Sequence, residues 1–420
     1  MAPAKVPTEH KLSRRGRQLV EEPVLAEYIL EHFARSAEPW DPELRPEGYI
    51  ALCIAENRMM WDDELVPQLR AAREVPARVL GYDAMVGALP FREALATFMG
   101  ARILGRAIEP EHIAVVAGAG AVLELLFHAL ADAGEGVLVP TPSYAGFWSD
   151  LETRDALRIV PVHGVSANDF RITPEDLDRA MDAAEIPVRA LLFTTPNNPM
   201  GWVYTREELE AVLAWGERRD IHIVFDEIYA LSVFGERPFV SVASLRESLG
   251  PLVHVVWAFS KDFGASGLRC GVLVSENPSV LAAVDGLAYW CAVSGDTQYR
   301  LGEWIADEAF LDRYLERMPA RLGESYAAIT EALDAAPISI PHYAAEAGFF
   351  FVVDLRGFMT EPSWAAEAAL WRKILDEARV NLTPGSACRI AEPGFFRLCF
   401  ASEPLPAVLE AIRRIVACLS

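Results

Sequence analysis

Val253-His254-Val255-Val256-Trp257-Ala258-Phe259-Ser260-Lys261-Asp262-Phe263-Gly264-Ala265-Ser266-Gly267-Leu268-Arg269 is the stretch on which the fold turns. Its apolar, β-branched start reads as a buried strand. Small residues follow, then one lysine, and an arginine stands eight positions later. A lone lysine in a polar loop is ordinarily a surface residue. A lysine desolvated at a strand end is a nucleophile that can form a Schiff base with an aldehyde. Serine and glycine leave room for a ring, and the arginine can clamp a phosphate with two parallel hydrogen bonds.

Working outward, the strand Ile221-His222-Ile223-Val224-Phe225 closes on Asp226. A carboxylate there would keep a pyridine nitrogen protonated, which a pyridoxal phosphate (PLP) site requires. Ala190-Leu191-Leu192-Phe193 leads into Thr195-Pro196-Asn197-Asn198-Pro199-Met200-Gly201. Ile113-Ala114-Val115-Val116 leads into Gly118-Ala119-Gly120, where bare backbone amides at a helix N-terminus form an anion site. Val137-Leu138-Val139 leads to Tyr144, and a flat aromatic there can stack on a pyridine ring. All of these positions fall at the carboxyl ends of strands, where open α/β sheets bind ligands.

These stretches resemble the fold-type I PLP enzymes of the class I/II aminotransferase superfamily, and within it the 1-aminocyclopropane-1-carboxylate (ACC) synthase branch. Further runs carry that likeness: Ala55-Glu56-Asn57, Pro140-Thr141-Pro142-Ser143-Tyr144-Ala145-Gly146-Phe147 and Val160-Pro161-Val162-His163. So do Glu38-Pro39-Trp40-Asp41-Pro42, Asn381-Leu382-Thr383-Pro384-Gly385-Ser386-Ala387-Cys388 and Glu392-Pro393-Gly394-Phe395-Phe396-Arg397. The similarity runs from about Trp40 to the C-terminus.

The resemblance implies an α/β fold, with a mostly parallel sheet in a large domain and a smaller α+β domain. It implies that Lys261 carries PLP and then serves as the base at Cα, with Ser260 beside the cofactor. Asp226 would keep the ring nitrogen charged, Tyr144 would stack on the ring, and Asn198 and Tyr229 would donate to its phenolic oxygen. Arg269 and the amides of the Gly118–Gly120 turn would bind phosphate. Arg397 would clamp the substrate α-carboxylate, and Glu56 would face an ammonium or sulfonium. Tyr82, five residues before Gly87, would reach the partner subunit's PLP phosphate, and Thr297 would reach the neighbouring site too, which implies a homodimer. The chain departs from the family at three of these places. Arg58 stands where the family has Gln, Met85 where the ACC synthase branch has its tyrosine, and Ala258 where a serine is common.

The 420 residues are enough for more than one domain, and 52 % hydrophobic content argues against disorder. Residues 1–17, with Lys5, Lys11, Arg14, Arg15 and Arg17, read as a mobile arm without an apolar signal core. Residues 18–75 read as a segment completing the small domain, 76–306 as the large domain and 307–420 as the small domain. A helix is expected from Leu19 to about Ala34 and a strand over 49–54. No uncharged apolar run reaches membrane-spanning length. A net charge of −22 disfavours binding to nucleic acid or an anionic membrane. Six scattered cysteines without a CxxC pair fit a reducing cytoplasm, and the eight histidines show no metal-ligand spacing.

The resemblance leaves three functions open. The first is an ACC synthase-type reaction on S-adenosylmethionine (SAM). Methylthioadenosine leaves from Cγ, giving the cyclopropane or an intermediate trapped by a second small molecule, such as an electron-poor pyridinium nucleotide. The second is transamination of an L-amino acid. The third is a non-catalytic PLP-fold binding protein, since fold alone does not settle function.

Overall fold

The structure, a computed structural model, describes residues 11–21, 24–71 and 74–420. Its strands, in chain order, begin with β1 (Ile50–Ala51), β2 (Ile113–Val116), β3 (Gly136–Thr141) and β4 (Arg158–His163). Next come β5 (Val188–Thr194), β6 (His222–Asp226), β7 (Val253–Ala258) and β8 (Gly271–Ser275). The last are β9 (Phe350–Asp354), β10 (Val380–Asn381), β11 (Thr383–Pro384) and β12 (Phe395–Cys399).

The central sheet has the order β2-β8-β7-β6-β5-β3-β4. Its strands are parallel except β8, which runs antiparallel to both β2 and β7. A parallel neighbour needs a long crossover, whereas an antiparallel one can follow a short return. That return is residues 259–270, the lysine loop, and it pairs Ala258 with Gly271. Gly271 has to be glycine, because a Cβ there would run into the backbone of Gly118 and Ala119. The lysine loop and the Gly118 turn are thereby brought side by side.

Alternation along each strand sends successive side chains to opposite faces of the sheet. Val116, Val137, Val139, Leu192, Val224 and Val256 pack with the helix Ala119–Leu130 on one face. Leu138, Leu191, Phe193, Phe225, Val255 and Trp257 belong to the larger core on the other. Both faces are dry, which is why these strands read as continuous apolar runs.

The helix Glu308–Asp334 leads on to the three-stranded sheet β11-β12-β9; the helix Trp364–Lys373 packs on β11, and the helix Leu405–Leu419 packs on β1 and β10. The N-terminal segment joins this part, because β1 pairs in parallel with β10. The expected strand over 49–54 is shorter than its pattern suggested. After Ala51 the chain leaves β10: the Leu52 amide still bonds Asn381 O, but its carbonyl accepts the Cys399 amide of β12. The expected helix from Leu19 to Ala34 is two helices, Arg14–Glu21 and Glu27–Arg35, the second restarting after extended backbone at Ala26. Arg14, Arg15 and Arg17 therefore sit in a helix, while Lys5 lies outside the described residues. All six cysteines are free thiols.

Candidate active site

Lys261 sits in the one-turn helix Phe259–Asp262, directly after β7, with Ser260 buried beside it. Its Nζ donates to the carbonyl of Ala55 at 2.7 Å. The residue is half-buried. Even so, burial, followed by the nearby Arg397 charge, brings its pKa down to about 8. A neutral amine is thus accessible near physiological pH, as a Schiff-base lysine requires.

Asp226 closes β6 and is buried. Its Oδ1 accepts the Ile228 amide at 3.3 Å. Burial raises its pKa to about 7 against that hydrogen bond and the charge of Lys261. A cationic ring N–H placed against it would restore the ionised form. Its neighbour Glu227 is also buried. One oxygen accepts the Val242 amide at 2.9 Å, the other has no hydrogen-bond partner, and burial raises its pKa to about 8.

Asn198 links two of the expected residues. Its Nδ2 donates to the Tyr229 hydroxyl at 3.0 Å, and its Oδ1 accepts from Arg397 Nη1 at 3.0 Å. Arg397 Nη2 donates to the Cys53 carbonyl at 3.0 Å and to Thr383 Oγ1 at 3.1 Å. The guanidinium lies over the Phe350 ring at 5.6 Å, and its buried Nε has no partner. Tyr229 is buried edge-on to Phe349 and Phe350. Tyr144 is 38 % exposed and packs edge-on to Phe147.

Gly118 precedes the helix Ala119–Leu130 with φ +95°, and a Cβ there would collide with the Arg269 guanidinium. Arg269 donates to Ala117 O at 3.2 Å and to Ser266 O at 2.9 Å. The helix start, with Ala119 and Gly120 in its first turn, and one guanidinium thus share a single corner, a site for a dianion.

Glu56 lies across the lysine loop. Ser266 Oγ donates to its Oε1 at 2.6 Å and Arg58 Nε to its Oε2 at 2.6 Å. Burial works against its charge, but Ser266 and Arg58 outweigh it and hold the carboxylate below its usual range. Arg58 also stacks on Trp61 at 5.1 Å, and Trp61 Nε1 donates to Gly264 O at 2.9 Å.

Two expected residues do not join this group within the chain. Tyr82 is 99 % exposed and lines a separate cavity with Met85, Tyr289 and Ser294. Thr297 stands in the first turn of the helix Gly295–Ala306, where Ser294 Oγ accepts its amide and donates to its hydroxyl. Sequence reasoning gave no role to Ala55, Cys53, Thr383 or Ser266. Two of these act through backbone carbonyls, which leave no side-chain signal; Thr383 lies in a run already singled out. A cleft of 1480 Å³ is lined by Tyr28, Ala145, Trp148, Pro384 and Arg389 among others, and by none of Lys261, Asp226, Asn198, Tyr229, Arg269, Arg397 or Glu56.

The family model for aminotransferase class I and II matches residues 47–415. The chain belongs to that family.

Among curated relatives are ACC synthases 4 and 3 of Oryza sativa subsp. japonica. Both are 37 % identical over 91 % of this chain, covering 84 % and 90 % of those proteins. ACC synthase 2 of Cucurbita pepo is 34 % identical over 90 % of the chain and 79 % of its own length. Thermus thermophilus aspartate aminotransferase with maleate matches at TM-score 0.81 and 22 % identity, covering 97 % of this chain and all of that one. An aromatic aminotransferase from Pyrococcus horikoshii matches at TM-score 0.77 and 23 % identity, covering 88 % and 95 %. The solved structures share the fold. The protein is a PLP-dependent, ACC synthase-like enzyme.

The residues present fit that cofactor. Asp226 is a buried carboxylate short of a cation, the Cβ-free Gly118 turn lies under Arg269, and the buried Ser143 and Thr195 hydroxyls at the strand ends have no partner. No helix among the described residues is long and apolar enough to cross a membrane.

Proposed function

We propose that this enzyme acts on S-adenosylmethionine, removing the Cα proton and expelling methylthioadenosine from Cγ. The observation that carries the reading is Glu56. It is an ionised carboxylate one residue beyond the carbonyl that holds Lys261, and it suits a substrate cation. ACC synthase relatives at 34–37 % identity support it.

In this reading Lys261, Asp226, Asn198, Tyr229, Tyr144, Arg269 and the Gly118–Gly120 turn would hold PLP, with Asp226 toward the ring nitrogen, Asn198 and Tyr229 toward the phenolic oxygen, Tyr144 toward the ring face and Arg269 with the turn toward the phosphate. Bound there, it supplies the electron sink for a carbanion at Cα. The Arg397 fork orients the substrate carboxylate. Glu56 holds the sulfonium, so the Cα–H bond meets Lys261 Nζ, which takes the proton as a neutral amine. The Cγ–S bond then breaks with its electron pair on sulfur. Closure between Cα and Cγ gives ACC; capture of the unsaturated fragment by a second small molecule gives a carbon–carbon bonded adduct. Tyr82, exposed on the chain surface, and the half-buried Thr297 are assigned to the neighbouring site of a homodimer.

The test is methylthioadenosine release from SAM by the PLP-loaded protein, quantified by mass spectrometry. Steady release supports the reading. Formation of a keto acid from an amino acid, without methylthioadenosine, supports transamination in its place.

A further inference from the structure

Asp262 follows Lys261 and is completely buried. A buried carboxylate is costly unless its lone pairs are met by donors, and here they come from two places, β7 and the turn at Leu231–Ser232. Oδ1 accepts the Ser232 hydroxyl at 2.6 Å. Oδ2 accepts Trp257 Nε1 at 2.8 Å and the Leu231 amide at 3.1 Å. The Asp262 carbonyl accepts the Tyr314 hydroxyl at 3.0 Å, from the helix Glu308–Asp334.

Leu231 and Ser232 close the turn that begins at Tyr229, since the Ser232 amide bonds Tyr229 O at 3.0 Å. Ser232 O in turn accepts the Gly348 amide at 2.8 Å, just before Phe349 and Phe350, which both edge Tyr229, and Phe350 also underlies Arg397. One side chain therefore joins the lysine turn to the tyrosine turn, and through it to the floor of the carboxylate clamp.

We propose that Asp262 is a positioning residue that fixes Lys261 relative to Tyr229 and Arg397. It touches neither cofactor nor substrate in this role. It holds two loops in one register, so that the amine leaves and re-enters the reacting geometry along one path. The inference rests on the PLP chemistry of the family and not on the identity of the substrate.

The test uses PLP-loaded enzyme and aminooxyacetate, whose carboxylate suits Arg397. Its nitrogen forms the new C=N bond to the cofactor's aldehyde carbon while Lys261 Nζ leaves as a free amine. The rate is read from the visible band, together with that band's pH midpoint and the PLP content per chain. Asp262→Ala is expected to slow displacement about tenfold or more and to move the midpoint, at unchanged PLP content. Asp262→Asn is expected to stay within about threefold of wild type, because its amide can still accept from Trp257 and Leu231 and donate to Ser232. If Asp262→Ala does not fold, Ser232→Ala decides, with an expected slowing of about twofold to fivefold. A wild-type rate and midpoint in Asp262→Ala, or in Ser232→Ala where that variant decides, would overturn the proposal, even if the melting temperature falls. It would equally be overturned by Asp262→Asn being as slow as Asp262→Ala, since charge and not register would then be what matters.

Discussion

Arg397 donates to Asn198 Oδ1 at 3.0 Å, and the same amide donates from Nδ2 to the Tyr229 hydroxyl at 3.0 Å. The group assigned to the substrate carboxylate and the pair assigned to the cofactor's phenolic oxygen are thus one hydrogen-bonded chain. The fork allows it: Nη1 serves Asn198 while Nη2 serves Cys53 O and Thr383 Oγ1, whereas an ammonium would have to reach all three from one nitrogen.

Arg397→Lys keeps the charge and loses the fork. The expected result is a KM for the amino-acid substrate raised about 10- to 100-fold, or ~1.4–2.7 kcal/mol, with PLP still bound. Steady-state kinetics alongside the visible spectrum checks it. An unchanged KM would remove Arg397 from the clamp.

Gly118→Ala strains a residue at φ +95° and pushes a methyl into the Arg269 guanidinium. Backbone strain of this kind costs ~1–3 kcal/mol. PLP affinity should fall by roughly 5- to 150-fold at that cost, read by titrating the apoprotein and following absorbance. Affinity equal to wild type would place the phosphate elsewhere.

Arg58 competes with any substrate cation for Glu56. Arg58→Gln frees the carboxylate, and exposed ion pairs are worth ~0.2–1 kcal/mol. The KM for SAM should therefore drop by up to about fivefold with kcat little changed. Arg58→Lys should behave as wild type. A higher KM in Arg58→Gln would mean that Arg58 aims Glu56 and does not compete for it.

The pair His222–His254 offers a pH test away from the site. Their ring nitrogens are 2.9 Å apart, and His254 Nδ1 lies 2.9 Å from Ser275 Oγ. Burial, then His222, pushes the His254 pKa down to about 3. An unfolded histidine binds a proton below about 6.5, so this residue favours unfolding progressively as pH falls from there. Melting temperatures from pH 7 to 4 should fall more steeply for wild type than for His254→Asn. Parallel curves would contradict the assignment.

Much of this site was legible because strands end where chemistry begins. Lys261, Asp226, Asn198 and Tyr144 each follow an apolar run, and Gly118 marks a bend that a side chain would block. The antiparallel direction of β8 was not legible, since a buried strand carries the same pattern in either direction. The Ala55 and Cys53 carbonyls carry no residue-type signal at all. Nor does Asp262 announce itself: an acid beside a lysine reads as a surface pair until Trp257, Leu231 and Ser232 are folded around it.

The most direct measurement is methylthioadenosine release from SAM carrying deuterium at Cα, with wild type and Lys261→Ala compared at equal protein and PLP. Wild type is expected to release methylthioadenosine at a rate slowed by the isotope, and Lys261→Ala to release none. Release by Lys261→Ala at the wild-type rate would contradict it, as would a keto acid product with the sulfonium intact.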